Sequence, residues 1–293
     1  MIQEIVDFCD NCFSPYEKGS SCDGFPLMTC ENCLKEIHFR KDSTRQYDCK
    51  NMCYWYVCQD IYRYASEMAW LLHDKELGLR TRNSPLNICS IGCGPCSELI
   101  AIEEYRHRYG LTFEYSYIGF DINQVWQPIQ QKVISLSASP GAIKIINGDV
   151  FKYYDNVKER PNMIILNYML SDMLRNGQEA FSAFVDRLCS FVAGLPSCAL
   201  LINDINRGVD EADPRYYYPR IKNQIVRKCG RDNVIDLHYH FVDSMKSFYP
   251  YGTQRAKSDI LFTAPDRIVA RYNTNTECHS AQMTIIKMKE HTK

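Results

Sequence analysis

Leu86-Asn87-Ile88-Cys89-Ser90-Ile91-Gly92-Cys93-Gly94-Pro95-Cys96-Ser97 carries the strongest architectural signal in the chain. Its first six residues form a short apolar run of β type, and the run stops at two glycines one residue apart. Behind them ELIAIEEYRHRYG (98–110) carries apolar side chains at helical spacing. Glycines between a strand and a helix let the backbone turn tightly and approach a ligand, while the helix start offers unpaired N–H groups. Such a pair alone also serves tight turns in many α/β proteins, so its meaning depends on the strands downstream of it.

Strands and helices alternate from there on. FEYSYIGFDI (113–122) reads as a strand, 124–136 as a helix, and AIKIINGDV (142–150) and PNMIILNYML (161–170) as strands. FSAFVDRLCSFVA (181–193) reads as a helix and CALLINDIN (198–206) as a fifth strand. That order predicts an α/β fold with a doubly wound, mostly parallel sheet. VIDLHYHFV (234–242) and SAQMTIIKM (280–288) are expected to finish it as an antiparallel C-terminal edge pair. Asp121 ends the second strand, 27 residues after Gly94, and Asp149 ends the third. Each acid alone is equally a helix cap or a turn former. Together with the glycines they mark the carboxyl ends of successive strands, where an open parallel sheet binds its ligand and an acid accepts from ribose hydroxyls.

Over residues 86–205 the chain resembles the class I S-adenosylmethionine (SAM)-dependent methyltransferases. Gly92, Cys93 and Gly94 look like that family's first motif, which wraps the methionine part of the cofactor. Asp121, with Ile122 beside it, looks like the ribose-binding acid, and Asp149-Val150 looks like the segment that meets the adenine. Asn167-Tyr168 matches the position where family members meet both cofactor and substrate. Two positions depart from the pattern: Cys96 stands at the frequent third glycine and Ser90 at the acid before the turn. A nicotinamide fingerprint would need glycine at residue 97, which is Ser. The resemblance implies in-line methyl transfer from a cofactor that carries the difficult chemistry, leaving alignment to the protein. Asn167 and Tyr168 are then the candidate catalytic residues, offering an amide and an aromatic face to the acceptor. Strand termination and packing against the cofactor explain them equally well. Asp204 and Asn206 either face the substrate or shape the turn after the fifth strand.

Upstream, the character of the chain changes. Eight of the 15 cysteines (9, 12, 22, 30, 33, 49, 53 and 58) fall in the first 58 residues. Cys9-x-x-Cys12 and Cys30-x-x-Cys33 have 17 residues between them, the spacing of a four-cysteine zinc site. Cys49, Cys53 and Cys58, with Cys22 or His38, either hold a second ion or pack a helix onto the main domain. The expected organisation is a small zinc-binding domain over 1–58, a connecting helix and linker over 59–84, and a methyltransferase domain over 85–293. In layout this is similar to bacterial large-subunit rRNA guanine methyltransferases, which place a zinc ribbon before a class I domain.

That likeness makes RNA the leading acceptor. Lys35, His38, Arg40, Lys41, Arg45, Arg80 and Arg82 give the head local positive charge. Around the tail, Tyr216-Tyr217-Tyr218 and Phe248-Tyr249-Pro250-Tyr251 offer rings for stacking, beside Arg215, Arg220, Lys222, Arg227, Lys228 and Arg231. His238 and His240 share one face of a strand, a structural placement. The net charge of −1 leaves no global field toward nucleic acid or anionic membrane. No apolar run spans a bilayer and the N-terminus has no secretory pattern, so an intracellular protein is expected. A protein or small-molecule acceptor, or a silent domain kept as a scaffold, stays open beside RNA.

Overall fold

The computed structural model describes residues 1–13, 29–39, 46–205, 216–242 and 252–289. Cys22, Arg40, Lys41, Arg45, Asn206, Arg215 and the 248–251 aromatic run lie outside the described residues. At the centre, β1 (Leu86–Ile91) pairs in parallel with β2 (Tyr115–Phe120), from Leu86↔Tyr115 to Ile91↔Phe120. Its other edge pairs with β4 (Met163–Asn167). Outside these lie β3 (Ile143–Ile146) and β5 (Cys198–Ile205), giving the order β3-β2-β1-β4-β5. The winding direction reverses between β1 and β4, the switch point at which doubly wound sheets bind ligands. Helices cover both faces, which is why β4 is a run of four buried apolar residues and not an alternation.

The sheet continues beyond β5. As expected, β6 (Val234–Val242) pairs antiparallel with β8 (Ser280–Lys287). But β8 also pairs antiparallel with β5, so it lies inside the sheet. The edge belongs to β7 (Thr253–Ala256), parallel to β6. Its four residues, TQRA, are too polar and too few to give a strand pattern.

On one face lie α4 (Ser97–Tyr109), α5 (Gln127–Leu136) and three helices from the cysteine-rich head. These three are α1 (Ile2–Cys12), α2 (Cys30–Phe39) and α3 (Lys50–Leu72). In α1, Ile2, Ile5, Val6 and Cys9 fall on one face and are buried. Helix α3 begins at Lys50, ahead of the expected helix start at 59, and runs unbroken to Leu72. A single apolar core joins Ile5, Cys33 and Met52 of the head to Ile88 and Ile100 of the sheet layer. The opposite face carries α6 (Val150–Asn156), α8 (Gln178–Gly194) and α9 (Tyr217–Cys229) over a second core. Tyr217 and Tyr218 are buried in that second core instead of forming a stacking platform. Among the described residues no helix is long and apolar enough to cross a membrane.

Candidate functional site

A cavity of about 860 Å3 opens over the carboxyl ends of β1, β2 and β4. Gly92, Cys93, Gly94, Asp121, Ile122, Asp149, Val150, Asn167 and Tyr168 all line it, so the cofactor candidates and the two catalytic candidates converge there.

The turn after β1 needs its glycines. Gly92 has φ +68°, and a Cβ there would sit 2.6 Å from Met169 Cγ. Gly94 has φ +47° with nothing closer than the Trp126 ring at 3.9 Å. Cys96, at the position of the third glycine, also takes a left-handed conformation with φ 60°. A residue with a Cβ pays roughly 1–2 kcal/mol for that geometry. The N–H groups of Gly92 and Cys93 both donate to the Phe120 carbonyl, at 2.8 and 3.0 Å.

Asp121 ties the turn to β2. Its Oδ2 accepts from the Gly94 N–H at 2.7 Å and its Oδ1 from the Asn123 N–H at 2.7 Å. Burial pushes this carboxyl above its ordinary value, and the two N–H bonds pull it back. Each oxygen still keeps a lone pair for a further donor. Next to it Ile122 is 85% exposed over the cavity. Asp149 is spent differently: its Oδ1 caps α6 by accepting from the Phe151 and Lys152 N–H groups, at 2.8 and 3.0 Å. Its Oδ2 pairs with Arg187 at 3.3 Å, and together these bonds hold the carboxyl below its usual range against the opposing effect of burial.

At the end of β4, Asn167 is locked by its neighbours. Its Nδ2 donates to Ser97 Oγ at 2.8 Å and its Oδ1 accepts from Asn203 Nδ2 at 2.8 Å. Tyr168 has φ 55°, and its hydroxyl donates to Glu67 Oε2 at 2.9 Å. Glu67, fully buried on α3, also accepts from the N–H of His279 at 2.7 Å and of Ser280 at 3.3 Å. The Asn203 side chain adds a contact at 3.2 Å. Asp204 is buried and accepts from the Ser171 N–H at 3.1 Å, fixing the start of α7 (Leu170–Arg175). It does not line the cavity.

The sequence gives no warning of the other wall. Tyr47 from the head, Tyr56 and Tyr64 from α3, Trp126 and Tyr168 form a continuous arc of rings along the cavity. Ring centroids lie 5.4 Å apart for Tyr47–Trp126, 5.5 Å for Tyr56–Trp126, 5.7 Å for Tyr56–Tyr64 and 4.0 Å for Tyr64–Tyr168. The Asn123 side chain holds the Tyr47 carbonyl, fastening this segment to the loop after β2. Facing the arc, Asp172 on α7 pairs with Arg175 at 3.3 Å and keeps 34% of its side chain open. Withdrawal from bulk water pushes its carboxyl up to about 6, with Asp204 adding to the rise and Arg175 opposing it. The Tyr47 hydroxyl reaches Asp172 Oδ2 at 3.5 Å, longer than a usual O–H···O bond, and lies 2.8 Å from His38 Nε2. The only signal for these residues is aromatic density around 54–64.

The described cysteines of the head lie outside this cavity, and the expected metal centre finds no support among them. Cys9 and Cys12 belong to the last turn of α1 and Cys30 and Cys33 to the first turn of α2, so neither pair forms a knuckle. Cys9, Cys30, Cys33, Cys53 and Cys58 are buried among apolar neighbours, Cys49 precedes α3, and Cys12 is exposed. The Cys58 thiol points at the Val6 carbonyl across 3.9 Å. Among the described residues no three His, Cys, Asp or Glu side chains converge as metal ligands.

No family model matches the chain, and no curated protein matches it. Among solved structures it is similar to the plantazolicin methyltransferase in complex with SAH, at 13% identity over 78% of this chain and 85% of that one, with a TM-score of 0.42. A SAM-dependent methyltransferase from Aquifex aeolicus matches at 9% identity over 77% and 92% of the two chains, with a TM-score of 0.41. Precorrin-6y C5,15-methyltransferase from Geobacter metallireducens matches at 8% identity over 72% and 85%, with a TM-score of 0.39. Likenesses this distant carry no argument about chemistry, and the functional reading rests on the cavity.

Proposed function

We propose that this chain is a SAM-dependent methyltransferase. The observation that carries the reading is the joining of Asp121 to the glycine turn at the switch point of the sheet. The donor set fits the cofactor. Asp121 keeps a lone pair on each oxygen for the ribose hydroxyls, and Ile122 is an exposed apolar side chain placed to lie on a flat base. Val150 forms the neighbouring apolar surface, and Asp149 presents its Oδ2 there, shared with Arg187. Gly92, Cys93 and Gly94 would hold the methionine end. When bound, SAM supplies a methyl carbon activated by a sulfonium. The protein positions the acceptor against that carbon and takes away a proton where the acceptor carries one. Asn167 and Tyr168 are held for this positioning role, their free rotation removed by Ser97, Asn203 and Glu67.

The described cysteines do not fit a zinc tetrahedron, and no role is assigned to a metal. An RNA acceptor finds little support around the cavity. Its cationic liners, Arg175 and Arg187, each pair with a carboxylate at 3.3 Å, and Lys222 and Arg231 pair with Asp236 on β6.

Calorimetric titration of SAM and S-adenosylhomocysteine, with Asp121→Ala as control, tests the reading. Saturable binding that is lost in the variant supports it. Absence of binding by the wild type rejects it in favour of a silent scaffold. Tritiated-SAM labelling of cell extract, sorted into RNA, protein and small molecules, then assigns the acceptor class.

A further inference from the structure

We propose that the acceptor half of the cavity receives a small cationic amine, held by the rings of Tyr47, Tyr56, Tyr64, Trp126 and Tyr168, with Asp172 as its counter-ion and proton acceptor. The proposal rests on the methyltransferase reading above and names the substrate class of the same site.

Three observations converge on it. The first is the shape of the wall. Tyr47 and Tyr56 are inclined by 74° and Tyr56 and Trp126 by 58°, so this part of the arc is concave, while Tyr64 and Tyr168 lie nearly face to face at 31° and 4.0 Å. Aromatic faces carry negative quadrupole potential and attract a desolvated cation. The hydroxyls of Tyr47 and Tyr168 are engaged with His38 and Glu67. What these tyrosines offer a ligand is therefore their faces.

The second observation is charge. Asp48, Asp121, Asp149 and Asp172 line the whole cavity, and its two guanidiniums, Arg175 and Arg187, are already paired with Asp172 and Asp149, so the lining as a whole keeps an excess of carboxylate. That balance favours a cation and disfavours a phosphate-bearing polymer. The third is that the same arc already holds a cation from behind. Arg63, paired with Asp60 at 2.6 Å, places its guanidinium 4.8 Å from the Tyr64 centroid and 5.6 Å from that of Tyr168.

Asp172 completes the site. It faces the rings from α7, and Arg175 and the Tyr47 hydroxyl restrain it without closing it off. The amine arrives as an ammonium ion and gives one proton to the Asp172 carboxylate. Its freed lone pair forms the N–C bond as the C–S bond breaks, and that electron pair stays on the sulfur. The product leaves as a methylated ammonium ion, and Asp172 returns its proton to water. Charge and atoms balance with SAM as the only co-reactant.

The test uses the whole chain saturated with S-adenosylhomocysteine, which leaves a neutral sulfur in the site, and tetramethylammonium chloride as probe. Tryptophan fluorescence reports occupancy of the arc through the part of the signal that is absent from a Trp126→Phe control, since Trp55 and Trp70 also emit. Saturable quenching is expected, weakened at least about tenfold in Asp172→Asn and in Tyr47→Leu. S-adenosylhomocysteine affinity should stay within a few-fold in both variants, which shows that they fold. Quenching that never saturates, or that is equal in wild type and both folded variants, overturns the proposal while the methyltransferase reading stands. Tight, salt-sensitive binding of a short RNA oligonucleotide that displaces the probe also overturns it, in favour of a nucleic-acid acceptor. If S-adenosylhomocysteine itself does not bind, the parent reading fails and the amine proposal falls with it.

Discussion

The Gly94 N–H donates to Asp121 Oδ2 across 2.7 Å, so the turn after β1 and the acid after β2 form one unit. A charge-assisted bond of this kind is worth about 1.5–3 kcal/mol, and a ribose hydroxyl on the same carboxylate adds a similar amount. Asp121→Ala should therefore lower S-adenosylhomocysteine affinity by at least about thirtyfold by calorimetry. Asp121→Asn, which keeps an acceptor for Gly94, should lose less.

The two glycines of the turn should respond unequally to alanine. At Gly92 a left-handed backbone combines with a contact of 2.6 Å to Met169 Cγ, whereas at Gly94 the added Cβ meets nothing closer than 3.9 Å. Gly94→Ala is expected to cost only the conformational strain, about 1–2 kcal/mol. Gly92→Ala should cost measurably more, because Met169 must also move. Urea denaturation of the two variants checks the order.

Glu67 accepts from two backbone N–H groups, the Tyr168 hydroxyl and the Asn203 amide at zero exposure. Glu67→Ala would strand all of these donors, a loss of about 3–5 kcal/mol by analogy with a broken buried pair. Glu67→Gln should cost less, since one oxygen acceptor survives. Thermal and chemical denaturation measure both.

The strand–turn–helix at 86–109 and the acids after it were legible because each makes a local demand on the chain. A left-handed turn needs glycine, and successive strand ends recur at the spacing of a β-α unit. The opposite wall of the site was not legible. Tyr47 meets Asp172 of α7, and Tyr64 and Glu67 of α3 meet Tyr168, over 100 residues away in the chain, and no local spacing records such contacts. The cysteine spacing is ambiguous for a related reason. A three-residue step suits a zinc knuckle and a helix alike, and the helical register of Ile2, Ile5 and Val6 with Cys9 is the competing signal. The strand β7 had no pattern to read.

Asp172 should give ammonium binding a pH dependence. The groups facing it are Arg175 on its own helix, Asp204 from β5, Tyr47 from the head segment and, behind Tyr47, His38 from α2. Burial holds His38 down to about 4, so it is neutral through the range in which Asp172, raised to about 6, ionises. Tetramethylammonium affinity should therefore rise as pH passes through about 6 and level off above it, and the rise should vanish in Asp172→Asn. Stability runs the other way. A raised carboxyl contributes stability that is complete below the ordinary aspartate range and is lost as pH climbs through about 6. Between those limits the wild type should lose ground to Asp172→Asn, as measured by urea midpoints.

The course of α3 also constrains how the chain can be divided. A rod of 23 residues carries Tyr56 and Tyr64 to the cavity, Glu67 to the junction of β5 and β8, and Cys53 and Cys58 into the layer beneath α1. Among the described residues one apolar core therefore runs from head to sheet. A cut anywhere from residue 49 to 72 would separate the binding surface from its own foundation, so grafting this head onto another sheet, or this sheet onto another head, would have to take the whole rod along.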